Sequence, residues 1–242
     1  MELFIFVVLG VCVGSFLNVL ILRLPLGKSV AFPASYCPKC KNPLKWYHNI
    51  PIFSWLFLRG KCAFCDQKIS FQYPLIELLS GLIFLLAFLK SQNMFDAFII
   101  AIVFSLLLAL SAIDLKYKAV PDNLSIPALL LAPLSGNFLT NVESALLLAG
   151  GFALLRIIIS WIIKKEAMGE ADIIIAGVIG GILGVKLGLS AIYIAALICL
   201  PVFFVVSKRG YELPFIPFLS IGLFVTWCFE TEILRFLGMI YE

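Results

Sequence analysis

Charge is scarce in this chain: only 13% of its 242 residues are Asp, Glu, Lys or Arg, and 62% are hydrophobic. A soluble domain runs nearer a quarter charged and half apolar. With a mean hydropathy of +1.10, a single soluble core of this size could not hide the apolar surface. Histidine is scarcer still. His48 is the one copy, so no local Ser-His-Asp or Cys-His arrangement exists and catalysis that leans on imidazole is disfavoured. The first apolar run, Leu3 to Leu22, lacks a basic n-region and a cleavage site and is followed by Arg23; it reads as a membrane span and not a signal peptide. Internal repeats and low-complexity tracts are absent as well.

What is present is long apolar runs. About 20 apolar residues carry a helix across a hydrocarbon core of roughly 30 Å. Candidate spans fall at 3–22, 74–90, 95–113, 123–140, 143–163, 171–187, 188–206 and 214–234. The fourth is interrupted by Pro127 and Pro133, and the sixth and seventh are separated only near Gly188. The expectation is an all-α polytopic membrane protein with about eight transmembrane helices and a small cytoplasmic zinc-ribbon-like loop domain. Its parts are a first helix at 1–22, the loop domain at 23–73 and a transmembrane core at 74–242.

The basic residues set the orientation. Arg23, Lys28, Lys39, Lys41, Lys45, Arg59, Lys61 and Lys68 all lie in the polar stretch between the first two spans. Flanked by spans, this stretch is read as a topology signal and not as a nucleic-acid surface. If it is cytoplasmic, alternation also places Lys116, Lys118, Lys164, Lys165, Lys208 and Arg209 inside. Fourteen of the 18 basic residues then face the cytosol. Lys90, Lys186 and Arg235 fall outside, and Arg156 lies within the fifth span. The sixth span carries Gly177, Gly180, Gly181, Gly184 and Gly188, a small-residue face suited to close helix packing.

Four of the seven cysteines form Cys37-x2-Cys40 and Cys62-x2-Cys65, with 21 residues between the pairs. Two such knuckles can hold four thiolates tetrahedrally around Zn2+. The alternative, a disulfide framework, is disfavoured in a reducing cytosol. So short a loop has little core, and a structural metal would supply much of its folding energy. Cys12, Cys199 and Cys228 lie in apolar spans and read as inert packing residues. His48 reads as structural or as a substrate contact.

Carboxylates at or inside spans are costly and therefore functional candidates. Asp114 ends the third span in S-A-I-D-L-K-Y-K-A-V-P-D, and Asp172 opens the sixth in M-G-E-A-D-I-I-I-A-G. The basic-residue topology puts both at one membrane depth. Two close carboxylates tend to share a proton. The ionised one can then activate water while the protonated one polarises a carbonyl, as in aspartic proteases. Either aspartate alone could be a helix cap, and Asp122, Glu166 and Glu170 could equally serve as partners. Glu77, near the start of the second span, is either an N-terminal helix charge or a polar contact in a site.

The ordered motifs resemble the bacterial type IV prepilin peptidases, the leader peptidase/N-methyltransferases, over essentially the full chain. The resemblance is carried by G-S-F-L-N-V-L-I-L-R-L-P at 14–25 and by the cysteine loop Y-C-P-K-C through C-A-F-C with the I-S-F-Q-Y-P-L-I-E that follows. D-L-K-Y-K-A-V-P-D and P-F-I-P-F-L-S-I-G at 214–222 extend it. It implies that Asp114 and Asp172 are the catalytic pair of a membrane aspartic peptidase in the inner membrane. Its substrates would be prepilins or pseudopilins, cut after the Gly that ends a basic leader at the cytoplasmic face. It also implies methylation of the new N-terminal residue, usually Phe, from S-adenosylmethionine, an activity associated with the cysteine loop and adjoining spans.

Two departures stand out. The usual Gly-x-Gly-Asp reads Gly169-Glu170-Ala171-Asp172, so Glu170 sets a further carboxylate beside Asp172, and Ile174 stands where a basic residue is usual. No glycine-rich S-adenosylmethionine motif is visible. The competing readings are a peptidase without methyl transfer and a transporter with a regulatory zinc loop. The transporter predicts polar residues deep in the spans, whereas these charges gather at one face, with Arg156 the main exception.

Overall fold

The computed structural model describes residues 1–164, 168–206 and 213–241, with side chains to 238. Lys165, Glu166, Lys208 and Arg209, which entered the reading of topology and site, lie outside the described residues. The described chain is helical: α1 (Glu2–Arg23), α2 (Phe53–Phe57), α3 (Gln72–Lys90), α4 (Met94–Tyr117), α5 (Asp122–Leu131), α6 (Phe138–Ile163), α7 (Glu170–Val206), α8 (Ile216–Cys228) and α9 (Glu230–Tyr241), with short 3-10 turns at 24–26, 46–49 and 132–134. It divides into two compact units, Met1–Ala101 and Ile102–Glu242.

In the first unit α1 and α3 pack face to face because small residues let their backbones approach. A Cβ at Gly10 would strike Phe84, and one at Gly14 would lie 2.7 Å from the Cα of Glu77. The Ser80 hydroxyl donates to the Gly10 carbonyl at 2.7 Å. That bond satisfies a polar group that lipid could not. Between these helices the cysteine loop makes two matching knuckles. The amide of Cys37 donates to Asn42 and that of Lys41 back to Cys37; Cys62 and Gln67, and Asp66 and Cys62, repeat the pattern. Lys41 and Asp66, at the same place in each knuckle, both adopt positive φ.

In the second unit α7 is not one rod. Gly184 takes φ 72°, ψ −179°, a backbone state open to glycine and essentially closed to other residues. Residues 180 and 188 would be about 12 Å apart along a straight helix. Instead, a Cβ on Gly188 would sit 3.9 Å from the Cα of Gly180. The chain therefore folds back into two limbs with the turn at Gly184, four residues before the boundary near Gly188 expected between spans 171–187 and 188–206. Gly177, Gly180 and Gly181 on the first limb fit against Leu129 of α5, Ser144 and Ala145 of α6, and the Ala132–Pro133 turn. Gly222 of α8 fits against Ala191 and Ala195 of the second limb.

Five described helices, α1, α3, α4, α6 and α7, are long and apolar enough to cross a bilayer, and a sixth span arises if α8 and α9, bent by 81°, count as one. The fourth expected span is a ten-residue helix, α5, ended by the Ala132–Leu134 turn. Pro133 removes a helical N–H there, and the piece is too short to cross alone. Large apolar side chains such as Leu146, Trp161 and Phe204 are exposed, as befits surfaces that meet lipid. Cys12 also lies on an exposed face of α1, outside the packed interior expected for it.

A Cβ at Gly180 would collide with the main chain of Ser144, whereas one at Gly150 meets nothing within 4 Å. Gly180→Val is expected to destabilise the purified protein by roughly 1–3 kcal/mol, the usual cost of overpacking, and Gly150→Val to leave it near wild type. Thermal unfolding in detergent reads the difference; equal melting of the two variants would refute the glycine contact.

Candidate active site and cysteine centre

Asp114 sits in the last turn of α4 and is 7% exposed. Its Oδ2 accepts the N–H of Ile216 at 3.3 Å. Ile216 is the first residue of α8, and the N–H groups of a first turn have no partner within their own helix. The P-F-I-P-F sequence thus starts a helix whose open amide and positive dipole end point at a carboxylate. Ser111, one turn back along α4, donates to the Ser220 hydroxyl at 3.1 Å. Phe104 stacks against Phe224 and Trp227. These contacts lock α4 to α8 and hold Asp114 in place.

Asp172 lies in the first turn of α7, and its Oδ2 accepts the N–H of Gly169 at 3.2 Å. That is the reach of an acidic third residue back to its own helix cap, so this bond alone is what a purely structural aspartate would make. Asp172 also lies within electrostatic reach of Asp114, 58 positions away in sequence.

The two described competitors, Asp122 and Glu170, have other surroundings. Asp122 is exposed at the start of α5. Glu170 is 82% exposed and pairs with Arg156 at 3.2 Å, so the extra acid of the second motif and the stray cation of the fifth span neutralise each other. Beside them Ala153, Arg156, Ile157, Ser160 and Ile173 line an open, mostly apolar hollow of about 400 Å³.

In the first unit the sulfurs of Cys37, Cys40, Cys62 and Cys65 lie within 4.8 Å of one another. The Cys37 and Cys65 sulfurs are 3.8 Å apart. A tetrahedron with metal–sulfur bonds near 2.3 Å has edges of about 3.8 Å, so the donor set fits Zn2+, and none of the seven cysteines is in a disulfide. The backbone amide of Cys40 brings the Cys37 thiol down to about 6 despite its burial, which favours a thiolate ligand. His48 accepts the Lys45 N–H at 3.4 Å through Nδ1 and packs edge-on against Phe64. It packs the 46–49 turn against the second knuckle and is not among the four clustered ligands.

The cysteine loop and the aspartate pair fall on two matching family models. The model for the bacterial peptidase A24 N-terminal domain covers residues 8–91, and that for the type IV leader peptidase family covers 101–204. A type 4 prepilin-like proteins leader peptide-processing enzyme of Escherichia coli is 36% identical over 239 residues, 88% of either chain. This chain belongs to the type IV leader peptidase family. Similar too are prepilin leader peptidase/N-methyltransferases of Neisseria gonorrhoeae, 31% identical over 94% of this chain and 91% of that one, and of Myxococcus xanthus, 38% identical over 75% of this chain. The match spans 56% of the Myxococcus protein's length. No solved structure matches. Like its relatives, this leader peptidase family member is a helical membrane enzyme.

Sequence reading of the site missed the amides of Ile216 and Gly169. The motif spacing held a signal for both, since Pro217 marks the start of a helix and Gly169 stands three residues before an acid.

Purified under reducing conditions, the protein is expected to hold one zinc per chain by elemental analysis. Cys62→Ser should lose most of it and become readily cleaved by protease in the 23–73 loop. Wild-type protein without zinc would exclude the metal centre.

Proposed function

We propose that this enzyme cuts the basic leader peptide from type IV prepilins and pseudopilins, after the leader's terminal Gly, at the cytoplasmic face of a bacterial inner membrane. It then N-methylates the exposed residue, usually Phe, from S-adenosylmethionine. The observation that carries the peptidase reading is the meeting of Asp114 and Asp172, each anchored by a main-chain N–H at the start of a helix. In this reading the ionised aspartate takes a proton from water as the oxygen attacks the scissile carbonyl carbon. The protonated partner donates to the carbonyl oxygen. Collapse of the tetrahedral species breaks the C–N bond, and the amine leaves with a proton returned from the pair. The open hollow lined by Ala153, Ile157 and Ile173 offers apolar surface on the α6–α7 pair for the hydrophobic segment that follows the cut.

The methyl-transfer half draws on the names of the relatives and on the first unit, whose residues match the family's N-terminal domain. Zn2+ has a structural role here: the four-sulfur set leaves no open position for substrate.

Incubation of the purified protein with a prepilin and S-adenosylmethionine, read by mass spectrometry, tests both halves. Wild type should release the leader and add a methyl group to the product. Asp114→Asn and Asp172→Asn should each slow cleavage at least about 100-fold, the usual scale of acid–base catalysis. Cleavage that survives both substitutions would remove the aspartic mechanism, and wild type that never cleaves an authentic prepilin would favour the transporter reading. A cleaved but unmethylated product would leave a peptidase alone.

A further inference from the structure

At the Gln72 end of the α1–α3 pair, packing leaves several polar groups unmatched. Glu77 is 6% exposed. Its Oε2 accepts the N–H of Ile52 at 2.7 Å, and the Ser15 side chain is a second hydrogen-bond partner. Among the described residues no lysine or arginine is paired with it. One turn along α1, Asn18 is 1% exposed. Its amide nitrogen donates to the carbonyls of Gly14 at 3.3 Å and Tyr73 at 3.1 Å, but its Oδ1 has no partner. The Nε2 of Gln72, at the start of α3, is also buried without an acceptor.

These bonds tie α1, α3 and the loop together, yet the set keeps a carboxylate without a cation and two polar atoms without partners. A buried carboxylate without a cation is unfavourable, and buried polar atoms are nearly always satisfied, so orphans point to a missing ligand. Ile52, the residue that reaches Glu77, has φ +61°. A β-branched side chain adopts that only where its surroundings hold it. The complementary ligand would present a positive charge to Glu77, a hydrogen-bond donor to Asn18 Oδ1 and an acceptor to Gln72 Nε2. S-adenosylmethionine has all three: a sulfonium, an ammonium, and a carboxylate with adenine nitrogens. When bound, it supplies an electrophilic methyl group on positively charged sulfur.

We propose that Glu77, with Asn18 and Gln72, forms the seat for the cationic amino-acid portion of the methyl donor. This rests on the methyl-transfer reading. Glu77 faces the sulfonium and makes the site prefer the charged donor to its neutral demethylated product, which helps product leave.

The test is calorimetric titration of the purified full-length protein with S-adenosylmethionine and with S-adenosylhomocysteine, which differ in the methyl group and the sulfur charge. Wild type should bind the sulfonium compound at least tenfold more tightly. Glu77→Gln should erase that preference, weakening S-adenosylmethionine at least tenfold and S-adenosylhomocysteine less than threefold. Asn18→Leu should weaken both. Unchanged zinc content shows that a variant's loop is folded. Equal wild-type affinity for the two ligands overturns the assignment without any variant. So does a Glu77→Gln protein that loses both equally, because Glu77 would then only latch the loop. Wild type that cleaves prepilin but binds neither ligand would instead overturn the methyl-transfer reading itself.

Discussion

Three carboxylates in this protein are held by main-chain N–H groups: Asp114 by Ile216, Asp172 by Gly169 and Glu77 by Ile52. The constraint behind this is that apolar surroundings penalise bare charge and unpaired amides alike. Pairing the two solves both at once. A backbone amide orients a carboxylate and stabilises its anion without cancelling the charge as an ammonium or guanidinium would. The group stays reactive. Helix starts offer such amides at no cost to secondary structure, and in the peptidase unit the starts of α7 and α8 are where the aspartates are held. Much of the packing serves to place those starts: Ser111 on Ser220, Phe104 on Trp227, and the glycine limb of α7 on α5 and α6.

The sequence made the helices legible because lipid demands unbroken apolar runs, and made the four thiols legible because metal geometry demands paired knuckles. The limits are equally physical. Counting spans by hydropathy treats α5 like its neighbours, yet Pro133 ends it after a few turns. The division of 171–206 needed the backbone of Gly184, since an apolar run carries no mark of a reversal and glycine is as common in packed limbs as in turns. The pairing of Asp114 with Asp172 could be posed from topology but not selected from spacing, because Asp122, Glu166 and Glu170 met the same criteria. Of those competitors, Asp122 is exposed and Glu170 pairs with Arg156. Glu166 lies outside the described residues.

The Arg156–Glu170 pair bears on the two departures from the usual second motif. Glu170 beside Asp172 would raise the repulsion that a dyad already carries if its charge stood alone. Arg156 lies one α6 turn before Ser160 in the same hollow and takes that charge up. The motif also lacks its usual basic residue, with Ile174 in that place. An arginine inside a span, expensive by itself, is thereby explained by the acid that the motif gained.

The two units then present one design in two chemistries. In the proposed reading, Asp114 and Asp172 set anion against anion, and a shared proton would relieve the excess charge as peptide-bond hydrolysis needs. Glu77 has no second acid or cation beside it among the described residues, and in the proposed reading a cationic ligand relieves its charge. Main-chain anchoring is common to both, so what separates proton chemistry from cation binding is the number of carboxylates brought together and not the way each is held.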